Sequence, residues 1–598
     1  MRSTALFVAA LLAACSGAKP KVEAPPALPA QPAVLAHQAQ GGQKIPGRRL
    51  MVVGINDTHG ALLPVAPPKY LASATKQEIG GADWFGGWMN AVRQSYRVNG
   101  NEVVILDAGD EFQGTLISNQ FQGKSVVEAY NLIGVTASAV GNHEFDFGMP
   151  ALRERMAQAN YPILAANIFK KGTRERPDWA RASVIVDQGG IKIGIIGLAT
   201  IDTPLTTNTK NIEGLEFAPG GPVAAAEADA LRAKGATIVL ITAHAGPFPP
   251  DHEIQQIAEA CRGKVDGIVS GHHHTAIKPP LIVANIPIVQ SGSKLQNFST
   301  IELTLDGSNH TVEYAVNDGA TPVDQAPQAI LHTLNGLPAQ FRGVPVKPDP
   351  RITSMLEGYD VQVKPLRDSR VGETTVGLRK GDKDELLANL TSDALRSGAG
   401  GGLKANFAFQ NSGGLRVLEI PKGPISFGEI FDLYPFENQQ IIVSLSAQEV
   451  RNALESVLHA GRGQLRVSGL RYTIEWGKYE AAKSPKDAPW GSLVTEVVDE
   501  GTGKLLCETK SCGPAECTSI CEPGIFTVAV TDFLANGGDG LEMLKKAPKK
   551  FGSLNARDII VAFVKEHQPL TPELLGSVTR GAKPRIVQNG KAVHPQAE

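Results

Sequence analysis

The residues best suited to chemistry in this chain are Asp, His and Asn placed just after short apolar runs. Asp57 and His59 follow residues 51–55, Asp110 follows 103–106, and Asn142 and His143 follow 137–140. His244 follows 238–241, and His272 and His274 follow 267–270. One His after a strand is usually structural, but the same topological position filled repeatedly points to a shared ligand. Carboxylate, imidazole and amide oxygen together suit zinc, manganese or iron. A carboxylate can bridge two ions about 3.5–4 Å apart, and such a pair activates water and clamps a phosphoryl group. No Gly-x-x-x-x-Gly-Lys-Ser/Thr loop occurs, which argues against a nucleotide-driven motor.

Strands must hold these residues. The runs 50–55, 103–106, 163–166, 191–197, 238–241, 267–269 and 286–289 are rich in Val and Ile and read as strands buried on both faces. Helical patterns lie between them at 125–132, 150–159, 224–233 and 254–261. The alternation predicts an α/β domain, in which ligands gather at the carboxyl ends of strands. Past residue 304 the pattern predicts antiparallel strands, a helical piece over 328–334, and a proline-containing stretch over 338–350. A linking helix over 353–364 follows, and the junction is a candidate hinge. A second α/β unit begins at Val371, with a helix over 384–396, a strand over 406–410 and a helix over 446–458. No internal repeat is evident.

The 598 residues suffice for several domains, and 42% hydrophobic with 20% charged content is ordinary for a globular protein. A net charge of -2 gives no pull towards nucleic acid polymers or acidic membranes, so phosphate must be handled locally. Arg2, the apolar run 5–12 and Leu12-Ala-Ala-Cys15 read as an export signal too short to span a bilayer. The small-small-Cys ending resembles a bacterial lipoprotein box, with Cys15 as the lipidated residue and the membrane as a partner through that anchor. Residues 16–47, rich in Pro, Ala and Gln, read as a disordered tether. No later stretch reaches transmembrane length, so the body is expected to be soluble. Of the six cysteines, Cys261 reads as a buried apolar residue. Cys507, Cys512, Cys517 and Cys521 crowd one insertion, where export favours two disulfides over a zinc knuckle. The spacing does not set their pairing.

Asn56-Asp-Thr-His-Gly60, Gly109-Asp110, Gly141-Asn-His-Glu-Phe-Asp-Phe-Gly148, Ala243-His244-Ala-Gly246 and Gly271-His-His-His274 resemble the calcineurin-type metallophosphoesterases. More narrowly, they resemble the 5′-nucleotidase family, which includes UDP-sugar hydrolases. The resemblance covers about 50–300 and returns over about 370–570. It implies a four-layer α-β-β-α sandwich followed by a second α/β substrate-binding domain. The implied domains are a dimetal domain over 48–340, a linker or hinge helix over 341–365, and a substrate-binding domain over 366–598 with a Cys-rich insertion at 507–521.

The resemblance implies two divalent ions, with zinc, manganese or cobalt expected. Asp57, His59, Asp110 and His274 would hold one; Asp110, Asn142, His244 and His272 the other, with Asp110 bridging. Many relatives carry Gln at His274, and an imidazole there should tighten that metal. His273 is expected to point away, and Glu144 to be structural. His143 and Asp146 resemble the family's catalytic pair: a cationic ring stabilising transition-state charge, held by a carboxylate. Asn411 and Arg416, in Asn411-Ser-Gly-Gly-Leu-Arg416, resemble a substrate-binding loop. Phe436 and Phe533 resemble a nucleobase clamp, and Asp539 a ribose acceptor. Ser412 replaces a usual Gly, and Leu386 and Leu387 stand where many relatives place another substrate-binding Arg.

The implied activity is release of phosphate from nucleoside 5′-phosphates in the cell envelope or outside the cell. UDP-sugar hydrolysis and 2′,3′-cyclic-nucleotide hydrolysis are its near alternatives, and a non-catalytic surface-binding lipoprotein the distant one.

Overall fold

The computed structural model describes residues 47–67, 77–97, 100–247, 252–317, 327–381, 385–481 and 485–589. Arg49–Ile55, Glu102–Asp107, Ala137–Ala139 and Ile163–Leu164 lie side by side and parallel, Val53 opposite Ile105 and Asp107 opposite Ser138. Asn297–Leu305 and Thr311–Val316 extend this sheet antiparallel beyond Arg49–Ile55. A second sheet runs in the order Leu281–Val283, Ile286–Val289, Gly267–Ser270, Ile238–Ala243, Ile191–Leu198, Ser183–Gln188. Its four middle strands are parallel.

The two sheets face each other. Leu50, Val52, Val104 and Leu106 pack against Ile193, Ile195, Leu240 and Val269. Helices Ala82–Tyr96 and Lys124–Ile133 cover the outer face of the first sheet, and Gly220–Ala233 and Glu253–Ala260 that of the second. This is the four-layer α-β-β-α arrangement that the resemblance implies. Burial on both faces explains why the central strands are continuous apolar runs rather than alternating ones.

Helix Pro350–Arg367 starts where Asp349 caps it by accepting from the Arg351 amide, with Pro350 at its first position. Ile352, Met355, Leu356 and Tyr359 recur at helical spacing and bury into the first domain's core. The Tyr359 hydroxyl donates to Glu128 at 2.8 Å. Phe431 of the second domain joins the same core.

The helix expected over 328–334 does not form. Gln328–Ala329 instead pairs with Asn297 and Phe298, and Thr333–Leu334 forms a hairpin with Leu337–Pro338. The turn is Asn335-Gly336, both residues at positive φ (52° and 80°), the geometry that Asn-Gly favours between two strands. A second hairpin, Gln340–Phe341 with Val344–Pro345, turns at Arg342-Gly343 in the same way.

In the second domain a five-stranded sheet runs Leu465–Ser468, Phe407–Asn411, Ile525–Thr531, Gln439–Ser446, Lys549–Asn555. Leu386–Ser397 and Ala556–His567 cover one face and Ala447–His459 the other. Ser446 and Glu449 start the last of these with a reciprocal capping box. A further sheet ends in the hairpin Leu505–Cys512 with Cys517–Cys521. Disulfides Cys507–Cys521 and Cys512–Cys517 join directly opposed residues of this hairpin, so the zinc-knuckle alternative fails. Cys261 is buried and unpaired with any other cysteine. Cys15, the signal over 1–15 and residues 16–46 of the tether lie outside the described residues. Among those described, no helix is long and apolar enough to cross a membrane.

Candidate active site

The polar loops meet where the carboxyl ends of both sheets come together. The His59 and His244 rings each place Nδ1 on a backbone carbonyl, that of Gln113 at 2.9 Å and of Ala108 at 2.8 Å. Donation there fixes the tautomer and leaves each Nε2 lone pair facing inward. His59 Nε2 lies 2.9 Å from His274 Nε2, which lies 3.3 Å from an Asp57 oxygen. His244 Nε2 lies 3.0 Å from the Asn142 side-chain oxygen and 3.2 Å from His272 Nδ1. Asp110 sits between the two groups: one oxygen is 3.8 Å from His59 Nε2 and 3.1 Å from His244 Nε2. Its other oxygen accepts the His143 amide at 2.8 Å.

Lone pairs brought this close repel unless a proton or a metal ion lies between them, and the donor types are those that could hold divalent ions around Asp110. Burial, with the neighbouring Arg416 and His274 charges, holds the His59 ring well below its ordinary pKa. Burial and His244 do the same for His272. Both rings are therefore neutral, as ligands must be. His244 differs. Burial opposes its charge, but the Asp110 carboxylate outweighs that and lifts it to about 10. A metal ion bound here would have to displace that proton.

The backbone is bent to make this convergence. Asp57, His59, Asp110, His272 and His274 all have φ between 48° and 77°. For residues with a Cβ this left-handed conformation costs on the order of 1–2 kcal/mol each, although Asp and His tolerate it best. Bonds within and between the loops hold them there. Asp57 accepts the His272 amide at 3.0 Å, and Asn56 donates to Asp57 at 2.7 Å. Glu144 accepts the amides of Asp110, Glu111 and Gly141 at 2.8, 2.7 and 2.6 Å, tying two ligand loops to one buried carboxylate. Gly141 has to be glycine, since a Cβ would stand 2.2 Å from an Asp110 oxygen.

His143 Nδ1 pairs with Asp146 at 2.7 Å. The other Asp146 oxygen accepts from Thr207 at 3.0 Å. Burial disfavours a charged His143, yet Asp146 and Asp110 outweigh it and raise its pKa. The Asp146 and Asp110 carboxylates thus favour the charged form of this ring beside the cluster.

His143 and Asp146 open onto a cavity of about 590 Å³ between the domains. Asn411, Arg416, Phe436, Phe533 and Asp539 line its other wall, alongside Asp110, Asn142, His272 and His274. Arg416 reaches across to within 3.0 Å of His59 Nε2, and its guanidinium lies 5.8 Å from the Phe436 ring centre. Asn411 donates to Asp539 at 2.8 Å. Gly538 lies against the face of Phe533, where a Cβ would come within 2.4 Å of the ring. His273 does not turn away from the cleft. It lines the cavity beside His272, packed in the space left by Gly246.

Leu386 and Leu387 are core residues, so no cation comes from that position. Lys380, Arg462 and Arg466 line the cavity instead. Arg462 pairs with Asp202 of the first domain at 2.7 Å, and Lys380 donates to the Leu415 carbonyl at 3.0 Å. Sequence reasoning does not find Asp202, Arg462 or Arg466. Only the glycines flanking Arg462 mark it, and they signal a loop rather than a ligand.

This fold and this site define a calcineurin-like phosphoesterase, and residues 50–276 match that family model. Residues 365–546 match the 5′-nucleotidase C-terminal domain model. The chain belongs to the 5′-nucleotidase family of two-domain metallophosphoesterases, whose members are phosphoric monoester hydrolases with a dimetal centre. It is 26% identical over 529 residues to a snake venom 5′-nucleotidase from Gloydius brevicauda, covering 83% of this chain and 84% of that one. A 5′-nucleotidase precursor from Thermus thermophilus superposes with TM-score 0.70 at 24% identity, covering 91% of this chain and 100% of the other. A Thermus sulfate thiohydrolase, SoxB, superposes with TM-score 0.67 at 16% identity, covering 92% and 99%. The fold is thus shared by proteins named for different substrates, and the substrate has to be read from the cleft.

Proposed function

We propose that this protein releases phosphate from nucleoside 5′-phosphates, using Asp57, His59, Asp110, Asn142, His244, His272 and His274 to hold two divalent ions. Those ions, when bound, neutralise phosphoryl charge and lower the pKa of water. His143, charged and held by Asp146, stabilises the negative charge that builds on the phosphoryl oxygens. Arg416 forks onto the same group from the second domain. Phe436 and Phe533 stack on the base, and Asp539, oriented by Asn411, accepts from ribose hydroxyls.

One observation carries this reading. A single cavity is lined both by the cluster of candidate metal ligands and by two aromatic rings and a carboxylate of the second domain. A phosphomonoesterase without nucleotide specificity needs only the cluster. The test is phosphate release from AMP with added manganese, zinc or cobalt, with and without chelator. ADP, UDP-glucose, 2′,3′-cyclic AMP and p-nitrophenyl phosphate serve as comparisons. Metal-dependent release from AMP, well above p-nitrophenyl phosphate, is expected. No release from any 5′-nucleotide under any of these metals would refute the assignment.

The venom 5′-nucleotidase relative supports work outside the cytoplasm. We place the protein in the envelope, anchored by lipid on Cys15. Labelled fatty acid should enter the wild-type chain and not Cys15→Ser.

A further inference from the structure

The cleft contains a buried amide, Gln113, that the protein itself leaves unpaired at both ends. Gln113 is 1% exposed and lines the cavity. Its backbone carbonyl accepts from His59, but neither its side-chain Nε2 nor Oε1 has a hydrogen-bond partner. Gln464, on the opposite wall, is the other buried cavity-lining amide whose Oε1 lacks a partner, but among the described residues only Gln113 has both amide atoms fully enclosed and unpaired. Leaving a buried amide unpaired destabilises a fold, and native proteins do so rarely. A Leu would fill the same space without that cost. The side chain is therefore explained by a partner that arrives with the ligand.

The surroundings identify that partner. Gln113 shares the cavity lining with Asp110 and Arg416, its backbone carbonyl holds His59, and the Arg416 guanidinium reaches from across the cleft to within 3.0 Å of His59 Nε2. Asn119 follows on the same wall and donates to the Pro435 carbonyl, next to Phe436. Gln113 thus lies in the loop that holds the His59 ring and that, through Asn119, meets the loop bearing Phe436. A group bound among these residues presents anionic oxygens.

We propose that Gln113 is a substrate-binding residue whose amide N–H donates to a phosphoryl oxygen of the bound ester. This rests on the phosphohydrolase reading above. Gln113→Leu removes the contact without adding an unpaired group, so function and stability should separate. The expected result is a roughly ten- to hundredfold fall in kcat/KM for AMP, the range for a hydrogen bond to a charged group. Inorganic phosphate should inhibit correspondingly more weakly. Thermal midpoint should be equal or higher, and metal content and adenosine affinity unchanged.

Gln113→Glu, which sets a negative charge against the phosphate, should weaken phosphate binding at least as much and decides the matter if the Leu variant does not fold. Three results would overturn the proposal: kcat/KM within twofold of wild type, thermal midpoint and metal content falling together, or adenosine affinity falling while phosphate inhibition is untouched. Were wild type inert towards AMP, the nucleotidase reading would fall. Phosphate binding and thermal midpoint would still decide the role of Gln113.

Discussion

The two ends of the cleft are built differently. At the metal end every ligand loop is fixed twice, by the strand it leaves and by a bond to a neighbouring loop, such as the Glu144 carboxylate on the Asp110 and Gly141 amides. At the end proposed to hold the nucleoside, Phe436, Phe533 and Asp539 are only half-buried and are placed by short loops of the second domain. Among the described residues, polar contacts that join the domains there include Asp202 with Arg462, Asn208 with Asp532, and Asn119 with the Pro435 carbonyl. The first group is held by bonds within its own domain, whereas the second comes from the facing domain and is positioned by how the two domains meet.

That contrast can be broken from either side. Asp110→Asn should do most damage, because it removes the charge shared by both metal positions. Activity should fall below detection, with metal content reduced in elemental analysis. Activity retained with full metal content would refute the bridging role. Metal uptake should also displace a proton from His244. Apparent metal affinity should then weaken as pH falls, and calorimetry in buffers of different ionisation enthalpy should show proton release. His143→Gln should come next, lowering kcat by roughly 10²–10³-fold with metals retained. Asp146→Asn should cost less, about 10–100-fold, because it acts only through the ring.

At the other end, Phe533→Ala should remove about 1–3 kcal/mol of stacking from AMP and leave p-nitrophenyl phosphate turnover unchanged. Equal losses on both substrates would show that the ring is core rather than clamp. The smallest effect on activity belongs to the distal disulfide. Its loop closes over a separation of 5 residues, so Cys512→Ser with Cys517→Ser should cost about 2 kcal/mol of stability on the chain-entropy model. Turnover should stay within twofold. A larger loss would tie the hairpin to the cleft.

The same contrast governs what the sequence can reveal. The metal-end residues are legible because each follows an apolar run, and residue type, position and order all agree. The layers of the first domain follow from the same runs. The stretch 328–334 reads as helix on apolar spacing alone, yet the Asn335-Gly336 turn just beyond it is the stronger local signal and sets a hairpin. Lys380, Arg462 and Arg466 carry no joint signature because they lie on separate elements and converge only in three dimensions. Gln113 stands in the central motif, but its lack of partners is a property of packing that no spacing encodes.

Because the Asp57 and Asp110 loops leave one sheet and the His244 and His272 loops the other, neither half alone offers an ion a complete set of donors. Capture of the cations thereby doubles as a checkpoint on assembly. A chain whose layers docked out of register would stay empty as well as inactive, and its ion content would reveal the fault before any assay of turnover.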